Sequence, residues 1–221
     1  MTDILYRWPE AAKFGRRVPK EKFYEHGTVS TAVREKFINE VQRITWAYKL
    51  AEATINLPGT SAVPEIQVFT IDAKTDDVSE GVLGAIDKAI PFPIIFEIAR
   101  QRGEQPEART VAAHKQLGTG TLKISAYYST AWQPGGTRRQ AMPTAITLPA
   151  LYAALLQPLT PITARPGEEM SDVADRLAAV RKLEREVASL ERKLRTEPQL
   201  NRKVELRRTL KTKQHELEQQ R

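Results

Sequence analysis

Across its 221 residues the chain contains no cysteine, so it has no disulfide, no thiolate zinc site and no cysteine nucleophile. That composition fits a reducing cytosol. Its three histidines, His26, His114 and His215, lie far apart in sequence, which argues against a histidine-rich metal cluster. No run of eighteen apolar residues occurs, and no basic-then-apolar leader opens the chain. The expectation is a cytoplasmic protein with no membrane span and no secretory signal. The last fifty residues lack still more: from Ser171 to Arg221 there is no glycine, no aromatic residue and one proline.

In that stretch Val173, Val180, Leu183, Val187, Leu190 and Leu194 are spaced seven, three, four, three and four apart. Such spacing makes a coiled-coil seam, a narrow apolar stripe held against a partner helix. It resumes after Pro198 with Leu200, Val204, Leu206, Leu210 and Leu217. Thr196-Glu197-Pro198-Gln199 reads as a helix restart, with Thr196 as cap, Pro198 in the first turn and Gln199 closing a capping box. Two arms of about 22 residues, each about 33 Å long, would pair antiparallel within one chain. One kinked helix dimerising with a second copy is the competing arrangement.

The formal charge of +7 is concentrated in this tail, where Arg181 to Lys213 holds twelve Lys/Arg against five Asp/Glu. The rest of the chain is therefore near neutral. A basic helical arm attracts polyanions, because phosphate contacts release condensed counterions. Arg192, Lys193, Arg195, Arg202, Lys203, Arg207 and Arg208 flank the expected turn on both arms and are the candidate DNA- or RNA-binding residues. A solvated coiled-coil surface with interleaved Glu184, Glu186 and Glu191 is the plainer alternative.

Upstream, residues 1–27 read as an irregular basic segment, with Tyr6, Trp8, Phe14, Phe23 and Tyr24 interleaved among its cations. Such interleaving suits base stacking, but burial of the rings on a domain is the stronger expectation. Residues 28–160 form the expected core domain. Thr28 and Ser30 are candidate caps for a helix through Glu40, and Ile44 to Leu50 is rich in strand formers. Glu65 to Asp72 alternates as a half-buried strand, Ser79 to Ile90 suits a short helix, and Pro93 to Ala99 suits a central strand. Thr110 to Gln116 and Leu122 to Trp132 suit a hairpin across Gly118–Gly120, and Leu148 to Leu156 a helix with Pro149 in its first turn. Residues 161–170 are a Pro-rich linker and 171–221 the coiled coil. The expected class is α+β: a mixed sheet of about five strands with about three helices, followed by an antiparallel helical hairpin.

Lys49-Leu50 and the stretches Thr54-Ile55-Asn56-Leu57-Pro58, Val63 to Phe69, Asn201 to Leu206 and above all Ile86-Asp87-Lys88-Ala89-Ile90-Pro91-Phe92-Pro93-Ile94-Ile95-Phe96-Glu97 resemble a bacterial family, domain of unknown function 4391. The resemblance covers nearly the whole length. It implies a small companion of helicase-, methyltransferase- or nuclease-bearing loci of restriction and anti-phage defence type, with no agreed catalytic residues. The tail also resembles the C-terminal coiled-coil arm of valyl-tRNA synthetases, which lies against tRNA.

The best enzymatic constellation is of the PD-(D/E)XK nuclease kind, in which carboxylates hold Mg2+ while a lysine orients water or stabilises charge. Asp72-Ala73-Lys74 closes a strand and Glu40 ends the preceding helix, giving Glu40 and Asp72 as metal ligands and Lys74 as the catalytic cation. The acidic partner on the upstream strand is missing, with neutral Asn56 nearest. Asp87-Lys88 reads as a helix end, and Glu97, embedded among apolar residues, needs water or a basic partner such as Arg43 or Lys49. Gly118 to Thr121 reads as a turn rather than a phosphate loop. The favoured reading is a non-catalytic accessory subunit without a cofactor. It docks on a larger helicase, methyltransferase or nuclease partner and contacts DNA or RNA through the coiled coil. A metal-dependent nuclease and a homodimer scaffold are the alternatives.

Overall fold

The computed structural model describes residues 4–25, 29–116, 122–162, 165 and 168–221. The chain divides into two compact units, Met1–Pro161 and Ile162–Arg221.

In the first unit the segment expected to be irregular is ordered. It runs through strand β1 (Tyr6–Arg7), a 3-10 turn at Glu10–Ala12, strand β2 (Lys13–Val18) and a short helix α1 (Glu21–Tyr24). Helix α2 (Thr31–Glu40) starts at Ser30, whose hydroxyl accepts the Val33 N–H, while Thr28, the other candidate cap, lies outside the described residues. Its Phe37 is fully buried. Strand β3 (Val41–Ala51) leads into a single helical turn α3 (Glu52–Ile55). That turn ends on Asn56 at φ 55°, a left-handed position that asparagine tolerates better than most residues. Strand β4 (Glu65–Ala73), helix α4 (Glu80–Ala89) and strand β5 (Ile94–Arg102) follow.

A two-residue turn, opened by Gly103 at φ 61°, then reverses the chain into strand β6 (Gln105–Ala112). The strand expected from Thr110 therefore begins five residues earlier, at Gln105, where it pairs with the end of β5. The short strands β7 (Lys115–Gln116), β8 (Lys123–Ile124), β9 (Tyr128–Ser129), β10 (Gln133–Pro134) and β11 (Gln140–Ala141) complete the set, before helix α5 (Leu148–Leu156). β7 and β8 pair antiparallel, and the Gly118–Gly120 turn expected between them lies outside the described residues. Thr147 caps α5 by accepting the Ala150 N–H, with Pro149 in the first turn as expected.

The main sheet is mixed, in the order β10-β6-β5-β4-β3-β2, with β9 also on β6. Five of its strands are six or more residues long. β4 and β5 are parallel, which requires the crossover that α4 supplies; the other pairings are antiparallel. Phe69, Ile71, Ile94, Phe96 and Ile98 pack with Phe37 of α2 and Val82, Leu83 and Ile86 of α4. β4 is buried along most of its length, Glu65 and Gln67 included, so the expected half-buried strand is instead a central one. Its alternation reflects two covered faces with polar residues paired inside: the Gln67 amide donates to Glu65.

The second unit contains helices α6 (Met170–Thr196) and α7 (Leu200–Gln220), which pack on each other as a hairpin within one chain. At 1.5 Å per residue they are about 40 and 31 Å long.

Candidate nucleic-acid interface

The hairpin seam is legible in its burial. Val173, Leu177 and Val180 of α6 and Leu217 of α7 are buried, and Leu183, Val187, Leu190, Leu194, Leu206 and Leu210 are half-buried. Two expected seam residues face outward instead, Leu200 at 73% and Val204 at 42% exposure. The half-buried positions of α7 run Lys203, Leu206, Leu210, Lys213, Glu216 and Gln220, so polar side chains, lysine stems among them, occupy places that a strict seam would give to apolar residues. The turn also differs from expectation. Thr196 is the last residue of α6, and its hydroxyl donates back to the Arg192 and Lys193 carbonyls. Gln199 is the N-cap of α7, and Glu197 accepts the Gln199 N–H. The proline therefore stands in the loop and not in the first helical turn.

Of the seven candidate cations, Arg192, Lys193, Arg195, Arg202, Arg207 and Arg208 are exposed and Lys203 is half-buried. Among the described residues the ion pairs of the hairpin lie away from them: Arg176 with Glu168, Lys213 with Glu186 and Glu216, Lys182 with Glu186, and Arg221 with Glu184. Between Glu191 and Arg208 the seven cations face three acids, Glu191, Glu197 and Glu205. The tip is thus a cationic surface whose charges are not spent on internal pairs.

The proposed nuclease residues meet differently. Glu40 and Lys74 are neighbours through the backbone, the Lys74 N–H donating to the Glu40 carbonyl at 2.8 Å. Their side chains diverge into structural contacts. The Glu40 carboxylate accepts the Ser79 N–H at the start of α4, where a negative charge suits the helix dipole. The Lys74 ammonium donates to the Ile38 carbonyl in the last turn of α2, and Lys20 reaches the Phe37 and Val41 carbonyls beside it. Burial lowers the Lys20 pKa, and the neighbouring Lys74 charge adds to the effect. Asp72 is paired with Arg43 at 2.6 Å. It lines a polar cleft of about 520 Å³ with Arg17, Gln42, Arg43, Arg100 and Gln101. Asp72 is the one carboxylate among the described lining residues, against three guanidinium groups. That field suits an anion better than a divalent cation. Among the described residues no group of three or more His, Asp or Glu side chains is placed to hold a metal.

Comparison with known families reaches almost the whole length. The model of the family described as domain of unknown function (DUF4391) matches residues 7–217. The chain belongs to this family. No curated protein and no solved structure matches it. No described helix is long and apolar enough to cross a membrane.

The phrase Ile86 to Glu97, which carries the DUF4391 resemblance most strongly, proves to be a packing device. Asp87 is buried and forms an ion pair with Lys115 at 2.5 Å, both side chains being 1% exposed. Lys115 also donates to the carbonyls of Asp87, Ile90 and Phe92, closing the end of α4 and the Pro91–Pro93 turn. Tyr127 donates to the other Asp87 oxygen at 2.6 Å. Tyr152 accepts the Lys115 N–H and donates to the Ala113 carbonyl. Burial pushes the Asp87 carboxyl up and the Lys115 ammonium down, each opposed chiefly by the partner's charge. Burial likewise raises both tyrosines.

Glu97 finds a partner other than those expected. Trp8 donates to it at 2.7 Å, and Arg139 clamps both its oxygens at 2.8 and 3.0 Å. Arg43 and Lys49 are engaged instead with Asp72 and Glu65. The hydrogen bond to Glu97 raises the Arg139 pKa. Arg139 and Lys115 escaped the sequence reading. The one available signal was a lone cation beside an apolar run, Val111-Ala112-Ala113-His114-Lys115.

Proposed function

We propose that the chain is a non-catalytic accessory subunit whose helical hairpin contacts the phosphate backbone of DNA or RNA while the α+β unit docks on a larger protein. The observation that carries the reading is the hairpin tip: seven cations, six of them exposed, none of them in an ion pair among the described residues. A rigid arm with a cationic end suits a backbone contact that reads charge and not sequence. The resemblance to small companions of restriction and anti-phage defence loci supports a helicase, methyltransferase or nuclease as the partner, in the cytoplasm. A second copy of the chain is the alternative partner, and sedimentation separates the two.

Replacing Arg202, Lys203, Arg207 and Arg208 by Gln preserves helix propensity and the Leu seam while removing the field. Duplex binding by the full chain should weaken steeply with salt, at a slope near 0.9 per phosphate neutralised. In the four-Gln variant both affinity and slope should fall. Unchanged values would retire the proposal and leave the tip as a protein-docking surface. Incubation of labelled nucleic acid with Mg2+ or Mn2+ tests the nuclease alternative: cleavage abolished by Asp72→Ala would overturn the non-catalytic reading. The separate engagements of Glu40, Asp72 and Lys74 favour no cleavage.

A further inference from the structure

The edge of the sheet carries a second surface that the hairpin does not explain. Among the described residues strand β2 pairs with β3 alone and is the outer strand on its side. A bulge between Lys13 and Arg16, with Gly15 at φ 64°, turns this edge. Beside it lies a groove of about 470 Å³, within the range of small-ligand sites. Its walls are aromatic. Phe14 and Trp46 are in contact, with ring centroids 4.1 Å apart, and Trp46 stacks on the buried Phe69 at 6.0 Å with planes 9° apart. Phe92 lines the same groove. Phe14, Trp46 and Phe92 are each partly exposed at the groove.

The rim is cationic. Arg16, Arg17 and Lys22 line the groove, are exposed, and no acidic side chain lines it among the described residues. The Arg16 guanidinium lies 4.9 Å from the centre of the Phe14 ring. Arg17 belongs also to the Arg43–Arg100 cleft, so positive charge continues from the groove onto the neighbouring surface. Cations on an edge strand discourage edge-to-edge association. That accounts for Arg16 and Arg17 but not for three partly exposed aromatic rings lining the same groove.

We infer that this groove binds single-stranded nucleic acid, an unstacked base lying against Phe14, Trp46 and Phe92 while Arg16, Arg17 and Lys22 hold the flanking phosphates. Aromatic platforms inside a cationic rim are how single strands are bound without sequence readout. A duplex keeps its bases stacked inside and offers only its phosphates. The groove needs nothing from the hairpin, and the two surfaces fail separately.

The test uses the full chain carrying Gln at Arg202, Lys203, Arg207 and Arg208, so that hairpin binding is removed. The probe is a fluorescein-labelled oligodeoxythymidine of twelve nucleotides, followed by anisotropy and by tryptophan emission. Binding of the single strand should persist in this background and quench tryptophan emission. Phe14→Ala should lower the affinity by about fivefold or more, the scale of one stacked base. Arg16→Gln with Lys22→Gln, which keeps every ring, should reduce the slope of log affinity against log salt by about 1.4, at about 0.7 per phosphate. A twelve-base-pair duplex should be indifferent to Phe14→Ala. Absence of single-strand binding would overturn the inference, as would binding untouched by both sets of substitutions in variants that melt like the parent. Equal capture of a polyglutamate peptide with the same sensitivity to Phe14→Ala would also overturn it, assigning the groove to acidic protein segments.

Discussion

Lys115 shows how much of this fold depends on one side chain. Its ammonium meets Asp87 and three carbonyls at the end of α4, in surroundings that leave 1% of the side chain exposed. Replacing it by methionine fills similar volume but strands the Asp87 carboxylate, and breaking a buried pair from one side costs about 3–5 kcal/mol. Lys115→Met should lower stability by that amount in a urea titration. Combining it with Asp87→Leu should restore part of the loss, because no buried charge is then left alone. Recovery should be incomplete, since the carbonyls of Asp87, Ile90 and Phe92 still lack the donor that Lys115 supplied. A double variant as unstable as the sum of its single variants would show that Asp87 and Lys115 are not coupled. None of this was visible beforehand. The sequence marks Asp87 as a helix end beside Lys88, and the residue that explains it lies 28 positions away in the chain.

At the scale of elements, local signals served where geometry is local. The three-four spacing of Leu and Val announced α6 and α7, Ser30 and Pro149 announced two helix starts, and the apolar run from Ile94 announced β5. The expectations that failed depended on tertiary pairing: β2 as an edge strand, β6 reaching back to Gln105, and Thr196 ending a helix where it was expected to begin one. The segment before α6 is a further case. Read as linker, it supplies Glu168, whose two oxygens accept from Arg176 at 2.7 Å each, with the Arg165 N–H on one of them. Arg176 and Arg165 also donate to the Gln220 and Gln219 carbonyls, so this clasp ties the start of α6 to the end of α7. The hydrogen bonds from Arg176, then that from Arg165, hold the Glu168 carboxyl at about 2, below its ordinary 4.5. A depressed carboxyl stabilises the folded form fully above its unfolded value and loses that contribution as pH falls from about 4.5 to about 2. Carbon-13 titration of Glu168 should give a midpoint near 2 that moves toward 4.5 in Arg176→Gln. The gap in melting temperature between the parent and Glu168→Gln should be largest above pH 5 and close by about pH 2. A gap independent of pH would assign the clasp's effect to packing and not to charge.

The two compact units differ in the kind of physics that stabilises them. Met1–Pro161 contains the whole mixed sheet, the cluster of Phe37, Phe69, Ile86 and Phe96, the buried Asp87–Lys115 pair and the buried Glu97 clamped by Arg139. A unit of this length buries roughly 70% of the surface its unfolded chain would expose, enough for independent folding. Ile162–Arg221 has a two-helix seam in which lysine stems stand at Lys203 and Lys213, and its tip concentrates charge of one sign. About 60 residues with so narrow a core lie near the lower limit for autonomous stability. A chain ending at Pro161 should therefore unfold in one cooperative calorimetric transition, with an enthalpy of about 110 kcal/mol at about 0.7 kcal/mol per residue near 60 °C. The isolated segment 162–221 should lose helicity gradually on heating and gain it with salt or a polyanion, both of which relieve repulsion among Arg192, Lys193, Arg195, Arg202, Arg207 and Arg208. The Gln substitutions at the tip should produce the same gain without added salt. Broad, non-cooperative melting of the 1–161 chain would show that the sheet's core is incomplete without the helices. In that case the hairpin belongs to the stability of the domain.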